Sequence, residues 1–299
     1  MATPKPLYRM MRKAWPHLPR DLRRRLGRRR LAPARGDVDV LGLVPASSVA
    51  RVVAQVERDG FAVLEHRLPE AVCRSLESLA TTTPARAADG SQVVMATAAD
   101  LEAPRYDLDE LDLLKDPAVQ RLVVDPSLHD LAAAYLGGEA VSDMTAMWWS
   151  VARPGGASAS AAQLFHTDRD RLSFVKFFVY LSDVDDRHGP HVYVRGSHRH
   201  LPRGIRADRR YADDEIIAAY GEDALVSIDG ARGTVFVADT SGLHKGLPPQ
   251  IGRRLVFQVE FTTSLFGAPY VSGGVDLLDP VVRRVAEARP RAYRRLLAA

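Results

Sequence analysis

Two side chains able to bind a metal, His166 and Asp168, stand two residues apart in QLFHTDRDRLSFVKFFVYLSDVDDRHGPHVYVRGSHR, residues 163–199. In a β-strand, residues i and i+2 point to the same side, with Cα atoms roughly 6–7 Å apart. An imidazole and a carboxylate at that spacing can converge on one ion. A third donor must come from elsewhere, and His244, closing the apolar run in GTVFVADTSGLHKG, is the candidate. Two histidines and one carboxylate on one side of a metal, with the other positions open, are the donor set of non-heme Fe(II) oxygenase sites.

A lone His-x-Asp is common, so the surrounding elements carry the argument. After the pair come an apolar strand (174–181), a turn (185–190), a second strand (191–194), a Gly-Ser-His turn and a later strand ending near His244. Ten residues past His244, Arg254 heads another strand, RLVFQVEF. A fixed guanidinium can hold a carboxylate through two parallel hydrogen bonds, which a lysine cannot reproduce.

In order and spacing this series resembles the phytanoyl-CoA dioxygenase family of Fe(II)/2-oxoglutarate-dependent oxygenases, from about Gly60 in DGFAVLEHRLPEAV to about Phe261. The resemblance implies a mainly β fold with flanking helices, built on a double-stranded β-helix (jelly-roll, cupin-like) core. It implies iron ligands at His166, Asp168 and His244, and Arg254 on the distal carboxylate of 2-oxoglutarate. Arg253 is the rival for that last role; Arg254 is preferred because the family's arginine usually lies seven residues before an aromatic, here Phe261. The implied chemistry uses Fe(II), with 2-oxoglutarate and O2 as co-substrates, to hydroxylate a C–H bond of a small or carrier-linked metabolite, releasing succinate and CO2. Asp168 favours hydroxylation, since related halogenating enzymes lack that carboxylate; desaturation and ring formation stay open.

The sequence departs from the family at two turns. Where Asn-Gly and an apolar residue are usual, it reads His188-Gly189-Pro190-His191; where Pro-Gly-Ser/Thr-His is usual, it reads Arg195-Gly196-Ser197-His198. These positions bear on the substrate rather than the metal. Two other classes remain: a metal-binding jelly-roll protein acting as a binding or regulatory module without turnover, and a cupin-type hydrolase or isomerase. Neither needs Arg254.

Within FVKFFVY, Lys176, Phe178 and Tyr180 share one side and Val175, Phe177 and Val179 the other. If the first side is inward, Lys176 needs a partner, and a carboxylate of 2-oxoglutarate or of substrate would serve as a co-substrate contact. If the sides are reversed, Lys176 is exposed. Trp148, Trp149, Phe178 and the arginines of the 198–222 segment would suit a partly apolar substrate with an anionic handle.

The 299 residues, 46% apolar and 26% charged, suffice for one large domain, expected over 36–299. The single cysteine, Cys73, excludes an internal disulfide and a cysteine-based zinc site. Residues 1–35 hold twelve of the 41 basic side chains and one of the 37 acidic ones, leaving 29 basic against 36 acidic in the remainder. The body is acidic and the tail basic. The tail reads as a flexible extension or as an amphipathic helix, Leu7 to Leu26, touching a membrane surface or a partner. No aromatic interleaving suggests nucleic acid. No apolar run reaches the roughly 18 residues that span a bilayer, and a cytoplasmic location is expected. Helices are expected over 47–59, 69–80, and from two Asp-Pro pairs at 116–117 and 125–126, where aspartate caps and proline opens the first turn. Residues 81–109 read as irregular, and 279–299 as basic helices packed on the domain or in a dimer contact.

Overall fold

The structure, a computed structural model, describes Tyr8, Met10, Met11 and residues 41–298. The basic tail expected over 1–35 therefore lies outside the described residues, apart from those three. Tyr8 is buried, and its hydroxyl donates to the Asp170 carbonyl at 2.8 Å.

Local chemistry sets the helical layer. Helix α1 (Val49–Asp59) ends at Gly60, whose φ of 94° suits a residue without Cβ. Ser48, at the start of this helix, donates its hydroxyl to the Pro45 carbonyl at 2.9 Å rather than capping, its own backbone being helical already. Strand β1 (Phe61–Val63) and helix α2 (Glu70–Thr82) follow. The stretch expected to be irregular contributes β2 (Ala85–Arg86), β3 (Gln92–Val93) and β4 (Arg105–Leu108) to the sheet. Strands of two to four residues are too short for alternation to reveal.

Helix α3 (Glu110–Leu114) leads into α4 (Pro117–Val123) and α5 (Pro126–Leu136). Both Asp-Pro starts form as expected: Asp116 accepts from the N–H groups of Ala118 and Val119, and Asp125 from those of Ser127 and Leu128. The remaining elements are β5 (Val141–Val151), β6 (Phe174–Tyr180), β7 (His191–Val194), α6 (Asp213–Tyr220), β8 (Leu225–Ile228), β9 (Val235–Ala238), β10 (His244–Gly246), β11 (Arg253–Thr262), α7 (Pro280–Ala288) and α8 (Arg294–Leu297).

Among the described residues the strands form an eight-stranded sheet, ordered β1-β9-β6-β11-β5-β4-β2-β3, and a three-stranded sheet, β10-β7-β8, with antiparallel pairing throughout. Alternation along the central strands builds two cores. Val175, Phe177 and Val179 of β6 join Leu255, Phe257, Val259 and Phe261 of β11 under the helices. Phe178, Tyr180, Val256, Trp148 and Phe236 point the other way and meet Tyr193 and Ile228 of the small sheet. Two sheets closed over a shared interior make the jelly roll. Val192 and Val194, on the far side of the small sheet, are covered by Phe165, Tyr211 and Ile216, so the charged 198–222 segment packs as a cover rather than standing off as a free loop. The C-terminal helices pack on the domain. Val282, Val285 and Ala286 enter the helical core, and the fully buried Arg295 donates to Glu110 Oε1 and Thr145 Oγ1, each at 2.7 Å. Among the described residues no helix is long and apolar enough to cross a membrane.

Candidate metal centre

The interior between the sheets brings together residues that are remote in sequence. His166 and His244 exchange backbone hydrogen bonds, each N–H donating to the other's carbonyl at 3.0 Å, and the Asp168 N–H donates to the Thr240 carbonyl at 2.8 Å. The His-x-Asp segment is thereby zipped to the strand end that carries the third candidate ligand. One donor atom from each of His166, Asp168 and His244 lies within 4.8 Å of the others, and among the described residues this is the group that could hold a metal. His166 Nε2 is 3.6 Å from Asp168 Oδ1, and His244 Nε2 is 3.4 Å from Asp168 Oδ2.

Both imidazoles are oriented by backbone carbonyls. His166 Nδ1 is 2.9 Å from the Leu164 carbonyl and His244 Nδ1 is 3.0 Å from that of Gly242. A carbonyl can only accept, so each Nδ1 carries the proton and each Nε2 turns a lone pair inward, as a metal-binding histidine requires. Burial and the neighbouring His244 lower His166 to about 3, so the ring is neutral at ordinary pH. Gly242 lets this turn form: a Cβ there would lie 2.1 Å from the Tyr193 hydroxyl.

Burial alone would raise the Asp168 carboxyl. The Lys176 ammonium is the largest influence against it, and the group is held well below the usual carboxylate range. Lys176 points inward, as one of the two face assignments required, but the carboxylates it meets are the protein's own. Its Nζ is 2.7 Å from Asp168 Oδ2, 2.7 Å from Asp170 Oδ2 and 3.5 Å from Glu260 Oε2. Three carboxyl groups of the protein surround the ammonium, so the partner expected for an inward Lys176 is supplied within the chain, without 2-oxoglutarate or substrate. They also outweigh burial, which would lower Lys176, and hold it well above its ordinary value. Glu260 faces Lys176 across the β6–β11 pair. Burial drives its carboxyl well above the normal range against the pull of Lys176, with Asp170 and Asp143 adding to the rise.

Arg254 lies further along β11, with its side chain in the interior and its Nη2 donating to Ser150 Oγ at 3.1 Å. Its Nε is buried without a partner. Burial, aided by the nearby Arg105, lowers Arg254 to about 10, so the guanidinium stays charged. A Cβ on Gly246 would lie 3.0 Å from Arg254 Nη2, which records how closely β10 approaches it. Arg253, next in the alternation, lies on the opposite side with its guanidinium 4.8 Å from the Trp149 ring. Trp149 is likewise outside the site; its indole donates to the Ala80 carbonyl at 3.1 Å in the helical core. Trp148 and Phe178 do line the interior, edge to face at 6.5 Å. In the 198–222 segment, Arg206 and Arg209 pair with Asp208 and Glu215 on the surface.

The profile of the phytanoyl-CoA dioxygenase family matches residues 56–251, a span that contains His166, Asp168 and His244. The chain belongs to the phytanoyl-CoA dioxygenase family. Members of this family are Fe(II)/2-oxoglutarate-dependent oxygenases, and the chain is an enzyme of that kind. No sequence among the curated proteins matches it. Among solved structures it is similar to EctD from S. alaskensis in its apoform, at 18% identity over 78% of this chain and 88% of that one, with a TM-score of 0.54. It is also similar to the epimerase SnoN in complex with Fe3+, alpha ketoglutarate and nogalamycin RO, at 18% identity over 73% and 84% of the two chains, with a TM-score of 0.52. A further likeness is to the alpha ketoglutarate dependent carbocyclase SnoK from nogalamycin biosynthesis, at 16% identity over 76% and 87%, with a TM-score of 0.51. At these identities the likeness is one of fold.

Sequence reading passed over Asp170, Glu260 and Ser150 as neighbours of the site. The alternation of β11 held a signal for one of them, because Arg254, Val256, Gln258 and Glu260 fall on a single side. The contact made by Tyr8 left no local mark.

Proposed function

We propose that this phytanoyl-CoA dioxygenase family enzyme hydroxylates an unactivated C–H bond of a small or carrier-linked metabolite, with His166, Asp168 and His244 holding Fe(II) and Arg254 anchoring 2-oxoglutarate. The reaction balances as R–H plus 2-oxoglutarate plus O2 giving R–OH, succinate and CO2. The observation that carries this reading is the convergence of two inward Nε2 lone pairs and one ionised carboxylate within 4.8 Å of one another. Fe(II), when bound, supplies the O2 chemistry.

The chain's residues supply placement. Leu164 and Gly242 aim the imidazoles through their carbonyls. Lys176 holds Asp168 by one oxygen, keeping the carboxylate charged and turned into the site. Arg254, with its Nε unsatisfied and its Nη2 steadied by Ser150, presents a buried cation suited to the far carboxylate of a 2-oxo diacid. Trp148, Phe178, Phe236 and Val256 form apolar walls that keep water away. The partly apolar character expected of the substrate rests on Trp148 and Phe178.

The test is an anaerobic titration of purified apoprotein with Fe(II) and then 2-oxoglutarate, following the weak visible charge-transfer band of the chelate. The band should form in the parent protein and be absent from His166→Ala. Stoichiometric metal binding without the band would remove the oxygenase reading in favour of a metal-binding module.

A further inference from the structure

His191 lies between the two halves of the site. Its ring stacks on His244, with centroids 5.3 Å apart and planes 10° from parallel. Across the β7–β10 pair its Cα faces Gly246, the residue that lies against the Arg254 guanidinium. Phe178 and Phe236 close in with ring centroids 5.3 Å away. The backbone is pinned as well, since the His191 N–H donates to the Tyr180 hydroxyl at 3.0 Å.

His191 is 8% exposed, yet its Nε2 is buried with no hydrogen-bond partner. A buried polar nitrogen left unsatisfied costs free energy. An apolar side chain would pack between Phe178 and Phe236 without that cost. What the imidazole adds at this position is a directional polar atom, on the wall between the candidate metal ligands and the arginine. A molecule reaching from one to the other passes along that wall.

We propose that His191 is a co-substrate-binding residue, whose Nε2–H donates to a carboxylate oxygen of a 2-oxo diacid and forms with Arg254 a two-point grip on it. The inference rests on the functional reading above. It assigns His191 to the co-substrate rather than to the metal or the oxidised substrate.

The experiment compares parent protein, His191→Leu and His191→Gln, each loaded with Mn(II) under argon. It measures metal affinity without co-substrate, and then 2-oxoglutarate affinity by equilibrium dialysis. Circular dichroism checks that each variant is folded. Metal affinity should stay within about threefold across the set, while the Leu variant should bind 2-oxoglutarate about tenfold or more weakly and the Gln variant recover most of that loss, as removal and replacement of one hydrogen bond to a charged group requires. Binding by the Leu variant as tight as the parent's would overturn the proposal. So would equal loss in both variants, or loss of metal from a folded Leu variant, which would make His191 a support for His244. Absence of 2-oxoglutarate binding by the metal-loaded parent would instead overturn the functional reading, and this inference with it.

Discussion

The ammonium of Lys176 hydrogen-bonds the Asp168 carboxylate at 2.7 Å, beneath the two imidazoles that complete the candidate metal triad. Lys176 is buried and Asp168 partly so, and Asp170 and Glu260 add further carboxyls to the same ammonium. A lysine thus shares the carboxylate that the proposed metal site would use.

Lys176→Met should therefore destabilise the metal-free protein, by about 3–5 kcal/mol if the pair behaves as buried ones do when one partner is removed. Divalent metal should restore more stability to this variant than to the parent, because metal binding supplies the missing positive charge and stabilises the folded state by linkage. Thermal melts with and without Mn(II) measure both effects. An unchanged melting temperature in the metal-free variant would show that the pair contributes nothing.

The pH dependence of the metal-free protein follows from buried groups of opposite sign. His166, lowered to about 3, and His191, also well below its ordinary value through burial and the neighbouring His244, are neutral when folded and take up protons when unfolded. Their contribution is present above the unfolded pKa of about 6.5 and is lost as pH falls through their lowered folded values. Glu260, raised by burial, acts in reverse, losing stability as pH rises above its unfolded value. Between pH 6.5 and 5 two groups of the first kind oppose one of the second, so stability should fall on acidification. Glu260→Gln removes the opposing contribution and should steepen the fall, as urea titrations at pH 6.5 and 5 would reveal.

Arg254→Lys should weaken 2-oxoglutarate by about tenfold or more, since a point charge loses the two-bond geometry, while leaving metal affinity in place. Arg253→Lys should leave 2-oxoglutarate affinity unchanged, its guanidinium lying over Trp149 on the opposite side of the strand. Dialysis of the two metal-loaded variants separates the adjacent arginines. The reverse pattern would exchange their roles.

Gly242→Ala should disturb His244 without touching it. The added Cβ would sit 2.1 Å from the Tyr193 hydroxyl and 2.8 Å from Ser197 Oγ, and overpacking of this kind costs about 1–3 kcal/mol. Weaker metal binding should accompany the lower melting temperature. Tyr193→Phe in the same chain should recover part of both; no recovery would place the strain elsewhere.

Much of the site can be read from local sequence because strands impose a period of two. That period places Arg254 and Arg253 on opposite sides of β11, groups Lys176 with Phe178 and Tyr180, and makes His166 and Asp168 a convergent pair. Asp-Pro pairs start helices wherever they occur, because cap and first turn involve neighbours only. Alternation separates two sides without saying which is inward. That depends on α1 to α5 covering the Phe177 and Phe257 side, which turned Trp149 away from the site and Trp148 into it. The meeting of Lys176 with Glu260 and the place of His191 between His244 and Arg254 were decided by tertiary structure alone. They arise where β6 meets β11 and where the small sheet folds over the large one. Those contacts join segments tens of residues apart, whose register is set by burial of the whole interior rather than by any local pattern.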